Sequence, residues 1–125
     1  MRDKTNKEWR ELFSQRLLQF SVRIIFLVNR LPKTPTGYAI ANQIVKSGTS
    51  IGANFIEAQD ASSIKDFIQK LSISLREAQE TCYWLQVIKE AKLIDALRIE
   101  SELKECGEIK AILVSSIKSS KAKLV

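Results

Sequence analysis

The chain is predicted to be all-α, an antiparallel up-down-up-down four-helix bundle, and three observations lead there. Its 125 residues hold only four Gly and two Pro, too few for the many tight turns of an all-β protein. Leu, Ile, Ala, Glu, Lys and Gln, which lose little on entering a helix, are abundant. Apolar residues recur at three- and four-residue intervals over four long stretches, and at 45% hydrophobic content they suffice for the core of one domain.

The first helix is expected at about 6–31 and is stopped by Leu31-Pro-Lys-Thr-Pro-Thr-Gly37, whose prolines disfavour helix before them. Thr34 before Pro35, or Thr36 before Gly37, supplies a cap for the second, at 36–59. Asp60-Ala-Ser-Ser63 ends that helix, and Ser63 with Asp66 three residues on resembles a capping box opening the third, at 63–92. A possible Asp95 cap opens the fourth, at 95–119, and residues 119–125 are expected to fray.

Facing residues of an antiparallel pair carry numbers with a nearly constant total. A total of 68 pairs Phe13 with Phe55, Leu17 with Ile51, Phe20 with Gly48 and Ile24 with Ile44. Totals of 122 and 188 pair Gly48 with Ser74 and Cys82 with Cys106 in the next two hairpins.

The second helix carries two seams. Ile40, Ile44, Gly48, Ile51 and Phe55 form an apolar one; Gln43, Ser47, Ser50, Asn54 and Glu57 form a polar one beside it. The polar seam suits a further helix, as from another subunit. On the third helix Ile73, Glu77, Glu80 and Trp84 form a seam off the core stripe, where a large ring often anchors an interface. Together these point to a homo-oligomer.

Chemistry is narrowed by what the chain lacks. No His is present, which excludes a His-based triad and His-ligated metal sites. Glu57, Glu77 and Glu80 lack the Glu-x-x-His partners of a bundle di-metal site, so Glu57 reads as a hydrogen-bonding group rather than a catalytic one. No phosphate-cradling glycine loop occurs. No cofactor and no metal are therefore expected, and the protein is read as non-enzymatic. The opposition of Cys82 and Cys106 allows a disulfide, although a pair of small core thiols is the expected reading. No apolar run is long enough to span a membrane and the N-terminal residues do not form a signal peptide, so the expected compartment is the cytoplasm.

Net charge is +6, with a pI near 9.5. Residues 1–33 hold eight Lys/Arg against three Asp/Glu. Arg16, Arg23 and Arg30 recur at seven residues and make a stripe about 20 Å long. Such a stripe suits a phosphate backbone; the alternative is that it pairs with glutamates of a neighbouring helix. Lys118, Lys121 and Lys123 are expected to form a mobile basic tail.

One stretch is more specific than the rest. Ser47-x-x-Ser50-Ile51-x-Ala53-Asn54-x-x-Glu57-Ala58, followed by Phe67 and Ser74-Leu75-x-Glu77-Ala78-x-Glu80-Thr81, resembles the bacterial four-helix bundle proteins encoded by intervening sequences in 23S ribosomal RNA genes. Gln43-Ile44 and Tyr83-Trp84 fit as well, and the resemblance runs from about Phe13 to Leu113. Where the family often has Glu-Gly, this chain has Glu57-Ala58. The resemblance implies an antiparallel bundle, in some members a homopentamer. It extends to the accessory variability protein of diversity-generating retroelements, a basic pentamer that binds nucleic acid and works with a reverse transcriptase. By that similarity the expected partners are other copies of the chain, RNA or DNA bound through Arg16, Arg23 and Arg30, and a protein such as a reverse transcriptase. A protein-interaction scaffold without nucleic-acid binding is the alternative.

Overall fold

The structure is a computed structural model describing the backbone of residues 2–124 and the side chains of residues 6–124. Four helices follow one another: α1 (Arg2–Val28), α2 (Pro35–Ala58), α3 (Ile64–Glu90) and α4 (Ala96–Ala122). Among the described residues there are no strands. Consecutive helices are the closely packed pairs, α1 on α2, α2 on α3 and α3 on α4, whereas α1 and α4 approach each other less closely. The result is an antiparallel four-helix bundle.

The helix ends follow from local chemistry. At the end of α1 the amides of Arg30 and Leu31 donate to the carbonyls of Leu27 and Val28, closing three-residue turns ahead of Pro32. Thr34 is the cap of α2, its hydroxyl accepting from the Gly37 amide at 3.1 Å, with Pro35 in the first turn. Gly37 is required there, because a Cβ would lie 1.8 Å from the Pro32 carbonyl oxygen. Ser63 caps α3 by accepting from the Asp66 amide at 3.0 Å, and the Asp66 carboxylate accepts from the Ser62 amide at 3.1 Å. The reciprocal bond of the expected capping box is thus moved back by one residue.

The α3–α4 connection differs more from expectation. Asp95 precedes α4 but its side chain makes no capping hydrogen bond. The stop signal lies at the end of α3 instead, where the Leu93 amide donates to the Ile88 carbonyl and the Lys92 amide to that of Lys89, both at 3.0 Å. This double closure is a Schellman motif, and it holds Lys92 at φ 56°, a conformation that suits glycine. Lys92→Gly is expected to raise stability by about 0.5–1 kcal/mol, read as a higher midpoint in urea unfolding. The expected fraying after residue 119 also needs correction. Helix α4 runs on to Ala122, with Ser120 buried and its hydroxyl donating to the Ser116 carbonyl. Lys118 and Lys121 therefore ride on a helix, not a tail.

Packing between helices keeps the expected pairings to within a turn. The Phe13 and Phe55 rings meet edge to face at 4.9 Å, and Trp9 stacks on Phe13. Gly48, however, sits under Ile24 rather than Phe20: a Cβ built there would be 3.0 Å from Ile24 Cγ2. The β-branched Ile24 straddles the missing side chain, and Phe20 is buried elsewhere in the core. Between α2 and α3 the Thr81 hydroxyl donates to Ser47 at 2.9 Å, and Ser74 donates to the Ile51 carbonyl at 2.7 Å, in place of the expected Gly48 contact. Leu17, Ile44, Leu71, Leu85, Ile99 and Ile109 fill the interior around these rings.

A candidate interaction surface on α1 and the ion-paired seam beside it

Helix α1 is apolar on two opposite faces. Phe13, Leu17, Phe20, Ile24 and Leu27 enter the core. On the far side Leu18, Val22, Ile25 and Phe26, again at three- and four-residue spacing, stand 39–58% exposed and touch no other helix closely enough to be covered. A helix with apolar residues on both faces is normally covered on both. Glu11, Gln15, Gln19 and Asn29 border this outer strip with polar groups.

The arginine stripe lies on the flank of the same helix and faces α4. Arg16 grips Glu105 with two bonds, Nε to Oε2 at 2.7 Å and Nη2 to Oε1 at 2.8 Å, and its Nη2 also donates to Glu108 at 2.7 Å. The bidentate hydrogen bond from Arg16 holds the Glu105 carboxyl below the usual carboxylate range and raises the guanidinium in turn. The contribution of this pair is accordingly present above the ordinary carboxylate pKa and is lost as pH falls through the lowered value.

Arg23 serves Glu102, which is only 1% exposed. Its Nε donates to Oε2 at 3.2 Å, its Nη2 lies 2.9 Å from Oε1, and Nη2 also donates to the Ser101 hydroxyl. The Nη2 contact to Oε1 is off the direction that a hydrogen bond needs, so Oε1 is paired in charge but has no donor. Arg98 adds a more distant charge, its Nε 3.7 Å from Oε2. Two arginines of the stripe thus span the gap between α1 and α4. Arg30, past the end of α1, is exposed and makes no ion pair among the described residues.

The polar seam of α2 does not act as one surface. Ser47 is buried against Thr81 inside the bundle, where small hydroxylated side chains let α2 and α3 come close. Ser50 and Asn54 are partly buried and bond to carbonyls of their own helix, Lys46 and Ser50 respectively. Gln43 and Glu57 are exposed. On α3, burial and then the neighbouring Glu80 push the Glu77 carboxyl up, against Arg76 and Lys46. The Trp84 indole donates to Glu80 at 3.3 Å, and Trp84 shares a shallow groove with Gln43, Pro35 and Ala39. Among the described residues no group of three metal-ligating side chains forms.

Sequence reasoning picked out the arginines without their partners and passed over the outer strip of α1. Both left a trace: Glu102, Glu105 and Glu108 recur at three residues, and Leu18, Val22, Ile25 and Phe26 make a second helical stripe.

A four-helix bundle with one helix apolar on both sides and its open seam closed by ion pairs belongs to the class of small helical bundle proteins, with no helix among the described residues long and apolar enough to cross a membrane. The sequence profile of the 23S rRNA-intervening sequence protein family matches residues 12–115, and the chain belongs to that family. It is similar to a protein of unknown function from the S23 ribosomal protein family of Bacteroides thetaiotaomicron, whose crystal structure was determined at 1.70 Å. The two share 42% identity over 84% of this chain and 97% of that one, with a TM-score of 0.79. No curated protein sequence matches this chain.

Proposed function

We propose that this protein is a non-enzymatic bundle that assembles with copies of itself through the outer face of α1. The observation that carries this reading is the exposed strip Leu18, Val22, Ile25 and Phe26, opposite the core face of the same helix. Apolar groups in contiguous array on a soluble bundle mark an interface, and covering them with a second copy removes them from water at about 25 cal/mol per Å². A pentamer is the stoichiometry suggested by the family resemblance. On this reading Arg16 and Arg23 fasten α4 to α1 within a subunit and keep the helix straight beneath the interface.

The test is the solution mass of the doubly substituted Val22→Glu, Phe26→Glu protein. Neither side chain contributes to the buried core, so helix content is expected to persist. The variant is expected to sediment at 14.2 kDa while the parent sediments as a multiple of it. A parent that is monomeric, or a variant of unchanged mass, overturns the reading.

A second reading, binding of RNA or DNA by phosphate neutralisation, is favoured by the net charge of +6. Since Arg16 and Arg23 are engaged with carboxylates, the contacts would fall to unpaired cations such as Arg30 and Lys33. Fluorescence anisotropy of a structured RNA and a DNA duplex across a salt series tests it: affinity falling linearly in log salt supports it, and no binding at low salt ends it.

A further inference from the structure

We propose that the open end of the α1–α4 seam is a binding site for a small aromatic anion, a planar ring bearing a phosphate, of the size of a nucleoside monophosphate. Trp9 lies seven residues before Arg16, on the same flank of α1, and the antiparallel register that sets Arg16 against Glu105 brings Trp9 opposite Ser115 and Ser116. There α4 presents Ser115, Ser116, Ser119 and Ser120, two adjacent pairs one turn apart, whose side chains are too short to fill the space between it and α1. Among the described residues no ion pair closes this end of the seam. What remains is a cavity of about 350 Å³, within the range of small-molecule pockets, about 300–1,000 Å³.

The lining sets the chemistry. Trp9 and Phe67 supply aromatic walls, and the Trp9 indole is held by stacking on Phe13 and by an edge contact with Phe55 while the residue stays 41% exposed. A fixed, half-open ring of this kind is a stacking platform for a planar group. Arg10 and Lys123 stand in the same lining, no carboxylate does, and neither cation forms an ion pair among the described residues. Lys123 is fixed beside the cavity by its amide, which donates to the Ser120 carbonyl at 3.1 Å. Ser120 is 7% exposed and gives its hydroxyl proton to the Ser116 carbonyl, so its oxygen is left to accept from a ligand hydroxyl or amine.

An adjoining hollow of about 220 Å³ shares Arg10, Phe67, Ser120 and Lys123 with the cavity and reaches Ser63 and Ile64 at the start of α3. The positive end of the α3 dipole there offsets the negative end of α4, so the local field admits an anion. Rings and cations act on different parts of one ligand: the rings hold its plane and the cations its phosphate. The site lies at the opposite end of α1 from Arg30 and on the α4 flank of the helix rather than its outer strip, so it rests on neither reading given above.

Fluorescence titration of the full chain carrying Trp84→Phe, which leaves Trp9 as its single tryptophan, is the test. At low salt AMP is expected to quench Trp9 saturably with a Kd below about 1 mM, and adenosine or inorganic phosphate to bind at least about tenfold more weakly. Arg10→Glu is expected to weaken AMP by about tenfold or more and to leave adenosine unchanged, with an unaltered circular dichroism spectrum. Ser119→Leu, which fills the mouth from the exposed side of α4, is expected to abolish both. A 5′-phosphorylated trinucleotide is expected to bind no tighter than AMP. The proposal is overturned by quenching that does not saturate, by adenosine or phosphate binding as tightly as AMP, or by Arg10→Glu with undiminished affinity for AMP. A trinucleotide more than about tenfold tighter than AMP overturns it as well, by assigning the site to the end of a nucleic-acid strand. Should Ser119→Leu fail to fold, the ligand comparison on Trp84→Phe with and without Arg10→Glu decides.

Discussion

Phe55→Ala is expected to lower the unfolding free energy by about 3–5 kcal/mol, with a fall in Tm of roughly 10–20 °C by circular dichroism. Phe55 is 0% exposed and is the ring on which the first hairpin closes. Phe13 meets it edge to face at 4.9 Å, and Trp9 at 6.2 Å. Truncation removes the transfer free energy of the ring, leaves a cavity between two rigid helices, and takes away the partner of both aromatic edges. Gly52, with Leu17 already 3.3 Å from where its Cβ would be, marks how tightly the helices are locked next to the cavity, so collapse around it is limited. Ile56→Ala, one residue on but 55% exposed, is expected to change stability by no more than about 0.5 kcal/mol. Equal effects for the two would show that the hairpin does not close on Phe55.

Arg23→Ala is expected to destabilise by about 1–3 kcal/mol, the second-largest effect. Its side chain is 39% exposed, which tempers the loss, but it neutralises a carboxylate whose side chain is 2% exposed. With Arg23 gone, Glu102 retains only Arg98 at 3.7 Å, and both of its oxygens lack a donor. The expected signature lies in the double replacement. Arg23→Met with Glu102→Leu removes the stranded charge and should recover most of the stability lost in Arg23→Ala. If the double variant is less stable than Arg23→Ala, the ion pair is a net stabiliser and the account of its cost is wrong. Urea unfolding of the three proteins separates these outcomes.

Much of the fold was legible because packing leaves a periodic trace. The core stripes, the Thr34 and Ser63 caps and the Pro-bounded first loop could all be read from local sequence. The α3–α4 turn was harder to read, since a lysine occupies the left-handed position where glycine would have announced it. The surface was less legible for a different reason. Spacing places Arg16 and Arg23 on one flank of α1, yet whether a guanidinium meets phosphate, water or carboxylate depends on which helix lies beside it. Ser47 shows the same limit: a small polar residue suits close approach, and only the tertiary structure says that the approaching helix is α3 of the same chain.

The seam between α1 and α4 gives the molecule two kinds of fastening with opposite responses to its surroundings. Three helix pairs are joined by apolar packing, which strongly hydrated salts such as sulfate reinforce. The fourth junction is bridged by Arg16 and Arg23, whose attraction to Glu105, Glu108 and Glu102 is screened by the same ions wherever solvent reaches it. A change of ionic medium therefore acts on the two kinds of junction in opposite senses, loosening the solvent-reached bridges between α1 and α4 while tightening the packing that holds α1 on α2.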